Sequence, residues 1–259
     1  MNFTSAEITA WISAYLWPFF RIGAALSAAP IFGARFVPVR VRLLLALTLT
    51  LVVSPLIPPV PALDPLSIGG VLVTLQQILI GAAMGFALHL IFSAIVHAGQ
   101  IIALQMGLGF ASLVDPQNGV QVPVLSQFYL VLASLVFLSL DGHLAIIEAL
   151  ADSFRTMPVS PSGIAVAGLW GLVAAASQMF AGALSIALPA VTALLLVNFA
   201  FGVMARAAPQ LNIFSIGFPL SLILGFAALL LTLPSLVPQS TDVINQAIAL
   251  MRHIAAGGH

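Results

Sequence analysis

Between Asp64 and Asp115 the chain carries no acid, lysine or arginine, and the only titratable side chains there are His89 and His97. A bilayer crossing needs about 20 apolar residues, so this run is far longer than one span requires. Charged residues make up 5% of the whole chain and hydrophobic residues 61%, whereas soluble domains carry about 25% charged residues. Mean hydropathy is +1.19. A surface of this composition cannot be covered with polar groups in water, so the chain is an integral membrane protein. Its apolar runs are continuous and lack alternating ten-residue segments, which selects helices over a barrel. The fold class is therefore an all-α membrane protein with about six long, partly kinked helical segments.

The first segment runs from about Ile8 to Ala29 and contains Pro18 and Arg21. The residues before it lack a basic region and a small-residue cleavage site, and read as the approach to a membrane helix, not a removable signal. Arg35, Arg40 and Arg42 then cluster with Pro30, Gly33 and Pro38. A second segment, LLLALTLTLVV, ends in the turn SPLIPPVPALDP. The third, from about Leu66 to Gln105, is one long helix, a helix projecting from the bilayer, or two helices meeting near Gly81–Gly85. A fourth starts at Pro123 and is interrupted by Asp141-Gly142-His143 before about Leu150. The loop ADSFRTMPVSPSG leads to a fifth, Ile164 to about Ala205, with a kink expected at Pro189. A sixth runs from Ile213 to about Leu233, and a short amphipathic tail from Thr241 to Ile254. With six alternating spans, arginine placement puts the N-terminus outside.

The motifs for catalysis are missing. His89 and His97 lack the spacing and the acid of H-E-x-x-H, and His143 and Glu148 pair poorly on a helix. There is no nucleophile elbow and no phosphate-cradling glycine loop. The chain has no cysteine, which excludes disulfides and Cys-ligated zinc or iron–sulfur centres. No cofactor, metal site or catalytic residue is expected. The net charge is zero and no basic tract points to nucleic acid; membrane lipid is the surrounding partner. Polar groups inside apolar segments are costly, which singles out Arg21, Asp141 and Asn198. Arg21 can snorkel beside Pro18 or pair with a neighbour, Asp141 can mark a helix break, and Asn198, with Gln178, can hydrogen-bond across helices.

The run ends in GLGFASLVDPQNG, residues 107–119. Gly107 and Gly109 open backbone conformations closed to other residues, Pro116 bends the chain, and Gln117-Asn118-Gly119 is a turn signal. Yet Leu108, Phe110, Leu113 and Val114 would be wasted in an exposed turn. Non-helical backbone at membrane depth is tolerated only when buried in protein or lining a watery cavity. Two readings stand on these grounds: an apolar loop tucked against its own bundle, and a constriction in a pore. A carbonyl-lined filter would need a symmetric oligomer.

Several stretches together resemble one family: GLGFASLVDPQ, PVLSQFYLVLASLVFLSLDGHLAIIEAL, the MPVSP turn, the ALP step at Ala187–Pro189, and NFAFGVMARAAPQLNIFSIGFPLSL. They are similar to the FliR family of bacterial flagellar export-gate membrane proteins, which has relatives in virulence type III secretion. The resemblance implies a non-enzymatic subunit of a helical hetero-oligomeric gate, built of kinked hairpins, in the inner membrane within the flagellar basal body. Its implied partners are FliP-like and FliQ-like subunits, other export-apparatus membrane proteins and unfolded protein substrates. Residues 1–152 would form a FliP-like four-helix half and 153–259 a FliQ-like two-helix half with a short amphipathic tail. The loop 106–122 would plug the channel, through Met106, Gly107, Leu108, Gly109, Phe110, Leu113, Val114, Asp115 and Pro116. Arg206, Pro209, Gln210, Phe214, Gly217, Phe218 and Pro219 would pack against partner subunits. The alternatives are a virulence homologue with the same motifs, a stand-alone small-solute channel or carrier, and a scaffold whose loop never meets substrate.

Overall fold

A computed structural model describes residues 4–61, 63–108, 124–160, 166–207 and 213–255. The described residues form seven α-helices and one 3-10 turn, with no strand: α1 Ser5–Ala28, α2 Val39–Val53, α3 Ile68–Gln105, α4 Val124–Ser139, α5 Gly142–Thr156, α6 Val166–Ala207 and α7 Ile213–Ala255. The turn, Ser54–Leu56, follows α2 directly.

The lengths resolve what the apolar runs left open. The third segment is one helix of 38 residues, not two meeting at the glycines. Gly81 and Gly85 instead form a small-xxx-small face, the spacing that lets helices approach closely. A side chain at Gly81 would strike the Arg21 carbonyl, and one at Gly85 would strike the Ala25 carbonyl and the Ala28 methyl. The sixth segment and the tail merge into one helix of 43 residues with Pro219, Pro234 and Pro238 inside it. Among the described residues four helices are long and apolar enough to cross a membrane, or up to five if α4 and α5 together make one span. α1 is not among the four, because Arg21, Pro18 and two tryptophans dilute its apolar run.

Two compact units divide the chain. The first comprises Met1–Leu90, Asp141–Ser177 and Ile244–His259; the second comprises Ile91–Leu140 and Gln178–Val243. In the first, Trp17, Ile22, Leu26, Ala46, Val53, Val73 and Phe154 pack into one core. α1 begins with a capping box, Thr4 and Glu7 each satisfying the other's backbone N–H, which closes two donors left open at a helix start. Pro18 lies inside α1 and has no N–H for the carbonyl four residues earlier. That carbonyl, of Ala14, accepts from Ser54 Oγ at 2.7 Å instead. Ser13 Oγ donates to the Leu63 carbonyl at 3.0 Å, holding the proline-rich turn to the same helix. Arg42 donates to the carbonyls of Phe32, Ala34 and Val37, so one guanidinium organises the connection between α1 and α2.

The second unit is built around the C-terminal part of α3, with Phe92 edge-on to Phe137 of α4 at 5.6 Å. The start of α4 lies against Gly99, where a β-carbon would stand 2.9 Å from Ser126 Cα. Within α3's most apolar stretch 67% of residues are buried, against 17%, 28% and 22% for α2, α6 and α7. α3 is thus the helix packed by protein, and the other three present apolar faces outward.

Candidate functional site

α3 ends in a defined geometry. The Leu108 N–H donates to the Ala103 carbonyl and the Gly107 N–H to the Leu104 carbonyl, both at 3.0 Å. This crossed pair is a Schellman cap, which needs a left-handed residue just past the helix. Gly107 supplies it with φ 82°, a conformation that costs a residue with a β-carbon about 1–2 kcal/mol. Met106 is wholly buried and Leu108 is half-buried. Both line an almost wholly apolar cavity of about 280 Å³, together with Val124, Phe128, Phe226 and Leu230. Leu108 precedes residues 109–123 and Val124 follows them, so both roots of that segment border one cavity inside the second unit. Of the expected plug residues, Met106, Gly107 and Leu108 are placed here. Gly109, Phe110, Leu113, Val114, Asp115 and Pro116 lie outside the described residues.

Arg21 is the most heavily bonded polar side chain of the first unit. It is completely buried. Its Nε donates to Gln77 Oε1 at 2.8 Å, Nη1 to the Ser153 carbonyl at 2.8 Å and Ser153 Oγ at 3.1 Å, and Nη2 to the Met157 carbonyl at 2.9 Å. The guanidinium also lies over the Phe154 ring, 4.2 Å from its centre. No carboxylate is within ion-pair distance among the described residues. The acceptors are instead the last carbonyls of α5, where helix partial charge is negative and cations are favoured. An arginine at a bilayer centre costs about 2.5–3.5 kcal/mol, whereas hydrogen bonds to a charged group contribute about 1.5–3 kcal/mol each, so this network offsets the burial. Arg21 neither snorkels nor waits for a neighbouring subunit.

Asp141 is exposed and sits between α4 and α5 with φ 53° and ψ 28°. Asn198 is exposed on α6. Arg206, also exposed, borders an open depression with Phe199, Gly202 and Val203. Gly217 is half-buried and Pro219 exposed, both within α7. Phe214 and Phe218 are helical, but their side chains, like Pro209 and Gln210 altogether, lie outside the described residues. His97 Nδ1 pairs with the Ser93 carbonyl at 2.6 Å, and His89 stacks on Phe86. Among the described residues no three of His, Cys, Asp and Glu group to hold a metal.

Sequence reasoning missed Gln77, Ser153 and Met157 as the partners of Arg21, and Ser54 as the partner of the carbonyl freed by Pro18. Nothing in the spacing of these residues links them. It also missed Gly225, on which Met106 rests.

Helices with outward apolar faces, a glycine-capped root beside an apolar cavity and a buried structural arginine define the class: an all-α membrane protein. Comparison with known proteins narrows it. The profile of the family described as bacterial export proteins, family 1, matches residues 12–247. The flagellar biosynthetic protein FliR of Pectobacterium carotovorum is 41% identical over 254 residues, covering 98% of this chain and 97% of its own. The FliR of Escherichia coli is 39% identical over 256 residues, with the same coverage. That of Bacillus subtilis is 30% identical over 246 residues, covering 94% and 95%. The chain belongs to family 1 of the bacterial export proteins.

Proposed function

We propose that this chain is the FliR-type subunit of a flagellar type III export gate, acting without catalysis, in the inner membrane at the flagellar basal body. The observation that carries this reading is the match, over nearly the full length of both chains, to relatives named flagellar biosynthetic protein FliR. On this reading residues 1–152 are the FliP-like half and 153–259 the FliQ-like half, and the partners are FliP-like and FliQ-like subunits. Asn198, Gly202 and Arg206 recur every four residues on one face of α6. Asn198 and Arg206 have no hydrogen-bond partner among the described residues, and Gly202 has no atom near its missing β-carbon. Small and polar residues are what membrane helices use to pack, which favours a protein neighbour over lipid on that face.

The loop 106–122 closes the channel against ions. Apolar side chains around a narrow lumen exclude water, and a dewetted constriction conducts poorly. Phe110 and Leu113 supply that surface, Gly109 the freedom to move, and Asp115-Pro116 the turn. An unfolded substrate displaces the loop, and the energy comes from other components, because the sequence carries no nucleotide-binding motif.

Removing residues 109–119, while keeping Gly107 and Leu108, tests the reading. The membrane is expected to become leaky to ions while the complex still assembles, and Phe110→Ala to leak to a smaller degree. An assembled complex without residues 109–119 that seals as well as the parent would overturn the plug role.

A further inference from the structure

The seat of Met106 is a single glycine. A β-carbon on Gly225 of α7 would stand 2.6 Å from Met106 Cγ, 2.8 Å from Cε and 3.1 Å from Sδ. Three atoms of the methionine side chain therefore lie across the bare backbone of α7, and Gly225 and Met106 are both buried. Met106 is the last residue before the left-handed Gly107, so its side chain holds the final turn of α3 against α7. The Schellman cap then fixes the direction in which the chain leaves at Leu108.

We propose that Gly225 is a positioning residue for the plug: its missing side chain lets Met106 clamp the end of α3 and so sets where the loop begins. This rests on the reading that the loop seals the channel. The Cγ contact cannot be relieved by moving the far end of the side chain; a residue larger than glycine at 225 forces Met106 to a new χ1. The apolar cavity of about 280 Å³ that Met106 already lines gives it room to move. A substitution at 225 is therefore absorbed by relocating Met106, and the helices stay folded while the root of the loop is released.

Size compensation in the assembled complex is the test. Gly225→Leu is expected to raise the ion conductance of the membrane towards that of the chain lacking residues 109–119, with co-purification of the complex unchanged. Adding Met106→Ala vacates the space and is expected to restore part of the seal. Should Gly225→Leu fail to assemble, Gly225→Ala is read in the same way. The natural chain has no cysteine, so Met106→Cys with Gly225→Cys gives an independent measurement. Oxidation of the assembled complex is expected to form the disulfide, because Met106 Cγ, one bond beyond its β-carbon, lies 2.6 Å from a β-carbon at 225, which keeps the two β-carbons within disulfide reach. The proposal is overturned if that disulfide does not form, or if residues enlarged at 225 leave the seal intact while loop removal leaks. If loop removal itself does not leak, the plug reading falls and the disulfide alone decides the seat.

Discussion

Arg21 shows how a residue can be conspicuous in a sequence and still be misread there. A lone cation in an apolar segment invites a search for an acid, and none lies within ion-pair distance among the described residues; three polar partners on α3 and at the end of α5 take its place. Two of its acceptors are main-chain carbonyls, which no sequence pattern displays. Arg21→Ala takes the donor from the buried Gln77 amide oxygen and from the half-buried Met157 carbonyl, whereas the Ser153 carbonyl keeps the Met157 N–H. Each such group costs about 1–3 kcal/mol, so a loss on the order of 2 kcal/mol or more is expected in thermal unfolding of the detergent-solubilised complex. Arg21→Lys keeps the charge but cannot present the planar fork that reaches both α3 and α5, and is expected to recover only part of that loss. Full stability in Arg21→Lys would show that charge alone, without the fork geometry, suffices.

At the scale of elements, the break between α4 and α5 is made by one backbone conformation. Asp141 has a left-handed φ of 53° and makes no side-chain cap hydrogen bond to α5. Asp and Asn tolerate this region and β-branched residues do not. On this geometry Asp141 is expected to act through its backbone conformation. Asp141→Asn and Asp141→Gly are expected to support export at parental levels. Asp141→Val is expected to lose about 1–2 kcal/mol and to shift the unfolding temperature accordingly. Loss of export in Asp141→Asn, with stability intact, would return the carboxylate to a functional role. The break itself was legible, because Asp-Gly interrupts an apolar run. The unbroken lengths of α3 and α7 were less so. Gly81 and Gly85 stand in the sequence as a place where two helices could meet, until α1 is seen lying on them. The sixth segment reads as ending at about Leu233, yet the helix continues through Pro234 and Pro238.

For the whole molecule, outward apolar surface governs behaviour. Trp170, Phe180, Leu196 and Phe199 along α6 are exposed at 71%, 62%, 67% and 74%, and Asn198 lies among them. Lipid can cover the first four, but it cannot satisfy an amide. The chain is expected to co-purify with FliP-like and FliQ-like subunits, and to give low yield or aggregate when expressed alone. A monodisperse, active preparation of the single chain would favour the stand-alone channel instead. The sequence by itself determined the membrane class, the helical architecture, the absence of catalytic motifs and the family, because composition and motif order are local properties of the chain. It also marked Gly107 as a place for unusual backbone, since glycine adopts conformations closed to other residues. Tertiary structure alone decided that Arg21 caps α5, that Ser54 satisfies the carbonyl Pro18 leaves open, and that Met106 rests on Gly225. Those contacts join residues 132, 40 and 119 positions apart. Backbone carbonyls and missing β-carbons carry no periodicity, so their partners become visible only when the helices are packed.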